Sequence, residues 1–259
     1  MVIPHSQMFA PRSFAHEATR RAVRALYYHC GVPVQAISEY MIDEYLGKAK
    51  LFIVPSPRVL TDKCWSALLN ESRREATVSI SGAIDLDDHW LPAPKMFAEI
   101  AKSHPVTESE VITINTNEYL VRYESEKMQR IEKAVVERPV SPLVFEDENG
   151  GKIVWSTLPL ELGDSMPALV AFYRLALAEA RVAPIFTASP QTPGVLILPS
   201  VFRDVVLYTF VSELDRDTRM QVTHLVPRTR FNVMVPAQRS AMVLIDRKTG
   251  RVLATDKRS

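Results

Sequence analysis

The sequence predicts an α/β domain built on a doubly wound, mostly parallel sheet, interrupted by an antiparallel insertion and followed by a small all-β sandwich. Three observations predict it. From Val2 to Ser81, strand-like apolar runs alternate with amphipathic helical stretches, the βαβ signature of a parallel sheet with right-handed crossovers and helices on both faces. Between Val106 and Glu124 the hydrophobic period drops to two, as in antiparallel strands. After Pro184 short strands recur at regular spacing, the pattern of a sandwich. The expected domains are 1–183, with the insertion at about 106–137, and 184–259.

In chain order, Val2 and Ile3 form an apolar strand that stops at Pro4, far short of the ~5–6 residues of a usual strand, so further chain is expected ahead of Met1. Ser13 can cap a helix from Phe14 to about Cys30, with Phe14, Ala18, Ala22, Val23 and Leu26 on one side and Gly31 and Pro33 as its stop. Val34 to Ile37 reads as a strand and Asp43 to Gly47 as a helical turn. Leu51 to Val54 is a continuous apolar run, as in a strand covered on both faces. Thr61 can cap a helix whose buried stripe is Cys64, Trp65, Leu68 and Leu69, and Ala76 to Ser81 returns as a strand. In the insertion, Val111, Thr113 and Asn115 alternate, then Tyr119, Val121 and Tyr123, with a turn expected near Thr116-Asn117 and a short helix over Glu126 to Glu137.

Asn149-Gly150-Gly151 between Leu143–Phe145 and Ile153–Ser156 is a hairpin signal. Asp164 to about Arg181 is a helix, with Pro167 in its first turn and Leu169, Phe172, Tyr173, Ala176, Leu177 and Ala180 facing inward. Strands are expected at Val195–Leu198, Val205–Val211, Met220–Leu225, Phe231–Val235, Ala241–Asp246 and Val252–Ala254.

Composition narrows the function classes. The chain has 259 residues, 47% of them hydrophobic, and 31 Lys plus Arg against 30 Asp plus Glu. A net charge of +1 provides no field to attract nucleic acid or an anionic membrane surface. Two cysteines, Cys30 and Cys64, supply neither a disulfide framework nor a multi-cysteine zinc site, and both read as core residues. No apolar run approaches the ~20 residues of a membrane span, and the N-terminus lacks the apolar core of a secretory signal. Taken alone, the chain reads as cytoplasmic, an inference that depends on what precedes Met1.

Ligand sites in a doubly wound sheet form beyond the carboxyl ends of the strands. That places three loops together: His5 to Arg12 after the first strand, Ser56 to Arg58 after the third, and Asp85 to Trp90 after the fourth. The candidate contact residues are His5, Phe9, Arg12, Arg58, Asp85, Asp87, Asp88, His89 and Trp90. Carboxylates accept hydroxyl hydrogen bonds and an indole face packs on a sugar ring. The competing reading of the acidic loop is a solvated cap with Trp90 plugging the core. Asp87, Asp88 and His89 are metal-ligating types, but their spacing matches neither an EF-hand nor a zinc pair, so no metal is expected. His5 and His16 can approach one another, or each can be a lone surface histidine. No cofactor is expected, since neither a Gly-x-Gly-x-x-Gly nor a Walker sequence is present. The strand ends read Pro55-Ser56-Pro57-Arg58 and Ser81-Gly82-Ala83-Ile84, without the Gly-x-Ser-x-Gly of a nucleophile elbow, and Cys64 lies on an apolar helix stripe without an electropositive neighbour.

The segments VIPHSQMFAPRSFAHEATRRAVRAL, LFIVPSPRVLTDKCWSALL and ATVSISGAIDLDDHW resemble the region after the catalytic barrel of β-galactosidase-like glycoside hydrolases, family 42 in particular. There a domain with a class I glutamine-amidotransferase-like, flavodoxin-like fold, the trimerisation domain, precedes a small β-sandwich. GGKIVWSTLPLELGD resembles the end of that middle domain, and GVLILPSVFRDVVLYTFVSE through MVLIDRKTGRVLA the sandwich. The resemblance implies retaining hydrolysis of a β-galactoside or related glycoside, with paired carboxylates about 5 to 5.5 Å apart. In that family both are glutamates on the barrel, which has no counterpart here, so no catalytic residue is carried over.

The implied role is the non-catalytic C-terminal portion of such an enzyme, with a homotrimer, the parent chain's barrel and carbohydrate as partners. The loops at His5–Arg12 and Asp85–Trp90 are then candidates to reach a neighbour's active site. The insertion between Val106 and Glu137 departs from the family pattern. The rival readings are a free-standing carbohydrate-binding or scaffold protein and an autonomous amidotransferase-like enzyme.

Overall fold

The computed structural model describes residues 1–8, 14–93, 104–131, 135–136, 139–226 and 228–255. They fall into two units, one made of Met1–Val23 with Gln35–Val182 and the other of Arg24–Val34 with Ala183–Ser259. The chain mixes helices with parallel and antiparallel sheets, an α/β fold. Residues 24–34, which stand in the expected first domain, group with the C-terminal strands. Among the described residues no helix is long and apolar enough to cross a membrane.

In the first unit, β1 (Val2–Ile3) pairs in parallel with β2 (Ile37–Ser38) and also contacts β3 (Leu51–Val54). β3 pairs in parallel with β4 (Thr77–Ser81), β4 with β10 (Lys152–Ser156), and β10 antiparallel with β9 (Leu143–Glu146). The expected strand at Val34–Ile37 is therefore shorter and later, and the turn after it is a 3-10 helix, Glu39–Tyr45. All five residues of β4 are buried, so both faces of the sheet are covered. On one face, α3 (Asp62–Ser72) adds Cys64, Ala67 and Leu68 to a core with Phe52, Val78 and Ile80. Thr61 caps it, its hydroxyl accepting from Cys64 N at 3.2 Å, whereas Trp65 and Leu69 are only half-buried. α5 (Met166–Glu179) contacts β4 and β10. It is capped by Ser165, with Leu169, Phe172, Tyr173, Ala176 and Leu177 buried.

The insertion is the hairpin β6 (Ser109–Ile114) and β7 (Asn117–Arg122), which also contacts α5. Its turn is Asn115-Thr116, both at positive φ (48° and 68°), the two-residue hairpin type that matches strand twist. The turn thus stands one residue earlier than the sequence reading. In β6 the inward residues are Glu110, Ile112 and Ile114, while Val111 is exposed. The expected helix over 126–137 covers Ser125–Ile131, α4, and Val135–Val136 is instead a strand, β8, paired with β5 (His104–Pro105).

In the second unit, β11 (Phe186–Ser189), β14 (Thr218–Leu225) and β15 (Arg228–Val235) form one antiparallel sheet. β12 (Val195–Val201), β13 (Val205–Ser212), β16 (Ser240–Asp246) and β17 (Val252–Thr255) form another. Their inward residues share one core that includes Tyr208, Phe210, Val222, Phe231 and Ile245. β11 was not expected from sequence. The helix expected over 14–30 is α-helical only over Ala15–Arg24, α2, and continues as a π-helix over Ala25–Cys30 that Gly31 ends at φ 64°. The expected cap Ser13 lies outside the described residues.

Candidate functional site

The carboxyl ends of β1, β3 and β4 meet through three polar anchors. After β1, the single helical turn α1 (His5–Met8) carries Gln7, whose Oε1 accepts from Arg58 N at 2.7 Å and Val59 N at 3.4 Å. Beside it, Ser6 donates from its backbone N and its hydroxyl to Glu39 Oε1 at 2.7 and 2.6 Å. Thr61 N donates to Glu39 Oε2 at 2.8 Å. Glu39, at 1% exposure, therefore clamps the loop after β1 to the start of α3, its charge met by three donors. After β3, Arg58 grips Asp85 of the β4 loop with two hydrogen bonds, Nε to Oδ1 at 3.2 Å and Nη2 to Oδ2 at 2.7 Å. The backbones join there too, since Asp85 N and Leu86 N both donate to Arg58 O.

These loops border a small cleft of about 40 Å³, well short of the ~300–1,000 Å³ of small-molecule sites. Its polar lining is Gln7, Ser56, Arg58 and Asp85; carbon is supplied by Phe14, Pro57, Ala83, Pro159 and Leu162. Below it lies a buried carboxylate, Glu161, at 1% exposure. Ser56 Oγ donates to Glu161 Oε2 at 2.6 Å, Ser81 Oγ donates to the same oxygen, and the Tyr173 hydroxyl donates to Oε1. Ser56 N in turn donates to Ser81 Oγ at 3.2 Å. Ser56 has φ 41°, a left-handed conformation that non-glycine residues adopt at a cost and that clusters at ligand clamps and active sites.

The strained turn expected of a nucleophile elbow is thus present at Ser56 without its glycine motif. Its chemistry differs from an elbow's. Pro57 has no N–H to offer an oxyanion, and Ser56 is 3% exposed with its hydroxyl given to Glu161. Cys64 is fully buried, and burial, followed by the Glu39 and Asp43 charges, pushes its thiol pKa up, away from reactive thiolate.

Of the nine candidate contact residues, the structure brings Arg58 and Asp85 together at the cleft. His5 Nδ1 lies 2.9 Å from Ser38 Oγ and its ring 6.2 Å from that of Tyr40. Asp87 Oδ1 accepts from His89 N and Leu91 N, both at 2.9 Å, so this carboxylate shapes its own turn. Asp88, His89 and Trp90 are exposed; Trp90 stands at φ 63° and 39% exposure and is no core plug. Phe9 and Arg12 lie outside the described residues. Among the described residues, no group of three or more His, Cys, Asp or Glu side chains is placed to hold a metal.

Sequence reasoning missed Gln7, Glu39, Ser56 and Glu161. Glu161 had a signal: a lone carboxylate inside the run Leu158 to Leu162 is costly to bury unless hydrogen-bonded. A larger cleft, about 680 Å³, includes Lys50, Ala76 and Lys152 at the opposite, amino ends of the strands. Its Lys152 is paired with Glu179 at 2.7 Å and Glu146 at 3.5 Å.

No protein-family sequence model matches the chain, and no curated protein matches it by sequence. Solved structures do resemble it. A catalytic mutant of Gan42B, a GH42 β-galactosidase from G. stearothermophilus, aligns with a TM-score of 0.64 at 11% identity over 91% of this chain and 37% of its own. The cold-adapted β-galactosidase from Rahnella sp. R3 aligns at 0.64 and 10% identity over 91% and 37%. The β-galactosidase from Bacillus circulans sp. alkalophilus aligns at 0.61 and 12% identity over 90% and 37%. The fold is therefore GH42-like, and the chain spans little more than a third of the length of these enzymes.

Proposed function

We propose that this chain is the non-catalytic C-terminal portion of a β-galactosidase-like glycoside hydrolase, serving oligomer assembly and the wall of the substrate cleft. Bond cleavage belongs, on this reading, to a barrel in the parent chain. The observation that carries it is the asymmetry of coverage: nine-tenths of this chain aligns with about 37% of GH42 β-galactosidases. Strand order supports the amidotransferase-like reading. With β1 beside β3, the sequence of strands runs β2-β1-β3-β4-β10, the flavodoxin-like order, whose ligands lie at the carboxyl ends. Trimerisation is inferred from the family resemblance. Cys30 and Cys64 are both buried, and a chain with only two cysteines suits a reducing compartment such as the cytoplasm.

The elbow-like Ser56 is the one feature that favours an autonomous enzyme. The proline that follows it, the burial of its hydroxyl and the raised pKa of Cys64 favour the scaffold. The isolated chain is expected to show no turnover of aryl β-galactosides. The reading frame immediately upstream of Met1 is expected to continue into a barrel with paired glutamates. Robust turnover by this chain alone, or a stop codon directly upstream, overturns the reading. A monomer in light scattering removes the assembly role.

A further inference from the structure

We infer that the outward face of the β6–β7 hairpin is a docking surface for a second copy of this chain, used across a two-fold axis. The inference goes beyond the glycoside hydrolase reading and does not depend on it.

The strand register decides which side chains share that face. Ser109 pairs with Arg122, Val111 with Leu120 and Thr113 with Glu118, and cross-strand partners stand on the same side of a sheet. The other side is already used: Ile112, Ile114 and Val121 are buried and the hairpin contacts α5, so the outward face is presented on a packed support. At its centre Val111 and Leu120, directly opposite one another, are 46% and 45% exposed. Lone exposed aliphatics are ordinary, but a facing pair forms one apolar patch. The strand edges are less free than the face. Thr113 N donates to Val140 O at 2.9 Å along β6; along β7, Arg122 N donates to Asp164 Oδ1 at 2.8 Å and Asp164 N to Arg122 O at 2.9 Å. Docking by the face, rather than by strand addition, follows.

Charge identifies the occupant. Glu118 and Arg122 flank Leu120 on β7, two residues to either side. Both are exposed, and among the described residues neither side chain is held by a hydrogen bond or ion pair. A two-fold axis lying along the Val111–Leu120 line lays β7 antiparallel on β7 of the other copy. Leu120 then meets Leu120, Val111 meets Val111, and Glu118 of each copy meets Arg122 of the other, the isologous arrangement of a symmetric dimer. An axis along the strands would instead set Arg122 over Ser109 and Glu118 over Thr113, leaving every charge unmatched. The face is thus complementary to itself when two copies meet antiparallel.

The test follows the intact chain by sedimentation equilibrium. A patch of this size belongs with weak, transient interfaces, so an assembly with an even number of chains is expected to form with a dissociation constant of roughly 0.1–1 mM. Leu120→Asp, which brings two carboxylates together on the axis, should weaken it by about tenfold or more. Arg122→Glu and Glu118→Arg should each do the same alone, because like charges then meet at both ends of the patch. Mixed in equal amounts, with one of them fluorescently labelled, these two variants should pair with each other about as strongly as the wild type does, since every Glu again faces an Arg. That pairing also shows that both variants are folded. A chain that stays monomeric up to about 1 mM, an odd-numbered assembly, or failure of the mixed variants to pair overturns the inference. An assembly indifferent to all three substitutions overturns it too, while leaving the assembly role proposed above intact. None of these results bears on aryl-glycoside turnover or the upstream frame, so the two readings fail separately.

Discussion

Glu161 is the side chain on which the floor of the cleft depends. Three buried hydroxyls, from Ser56, Ser81 and Tyr173, aim at one carboxylate, and a buried donor that loses its acceptor costs about 1–3 kcal/mol. Glu161→Ala should therefore lower stability by roughly 2–4 kcal/mol, and Glu161→Gln, which retains one carbonyl oxygen, by about half that. Urea denaturation checks both; a near-wild-type midpoint for Glu161→Ala removes the carboxylate's structural role. In the second unit, Tyr208 Oη and His224 Nδ1 lie 2.5 Å apart in the core, and His224 is 3% exposed. Burial lowers the His224 pKa, opposed by the hydrogen bond to the Val226 backbone and reinforced, more weakly, by the Arg247 charge. The folded state therefore binds this proton less well than the unfolded chain does. Stability from this group is intact above the unfolded value of about 6.5 and is lost as pH falls below it. The wild type should lose more stability between pH 7 and pH 5 than His224→Gln; parallel curves contradict the assignment.

At the level of elements, the hairpin β9–β10 shows how far local sequence reaches. Asn149-Gly150-Gly151 announced the turn, but only the structure explains why it holds two glycines. Gly150 has φ 83° with open space around it, whereas a Cβ on Gly151 would stand 1.9 Å from the Ser72 carbonyl oxygen at the end of α3. Gly150→Ala pays for backbone strain alone, about 1 kcal/mol, while Gly151→Ala must displace the backbone of a neighbouring helix, about 1–3 kcal/mol. Thermal melts that rank Gly150→Ala as the worse variant would contradict this. The β6–β7 hairpin shows the opposite case. Its sequence offers no Asn-Gly, and a turn misplaced by one residue reverses the face of a whole strand. The alternation alone therefore left open which face is inward, and in the structure it is that of Glu110, Ile112 and Ile114. The long apolar stripes of α3 and α5 were legible because they repeat a period over several turns, and β1 was read at Val2–Ile3; the bounds of β2 were not legible, because pairing with a distant partner defines them.

For the whole molecule, the convergence of three loops at the strand ends was readable from alternation alone, since the topology dictates it. The residues that bind those loops together were not, because Gln7, Glu39 and Glu161 find their partners 12 to 105 positions away. The same limit hides the composition of the second unit. A boundary near residue 183 follows from the change to all-β patterning, yet residues 24–34 group with the strands that follow it. Several bonds argue for that grouping: Ile185 N donates to Gly31 O at 3.4 Å, Gln191 Nε2 to His29 O at 3.4 Å, and Arg24 pairs with Glu213 at 3.4 Å. A Cβ on Gly31 would come within 2.8 Å of the Phe186 carbonyl oxygen, so the contact is close. Leu26 and Ala25 are fully buried, and burying such side chains contributes roughly 1.5–3 kcal/mol for the leucine alone, against a whole-domain stability of about 5–15 kcal/mol. Residues 184–259 expressed alone should therefore melt well below the same sandwich in the intact chain and expose apolar surface that binds ANS. A peptide spanning 24–34, added in excess, should raise that melting temperature in a concentration-dependent way, as any ligand of the folded state does. A fragment that melts like the intact chain, indifferent to the peptide, shows that 24–34 is not part of the unit.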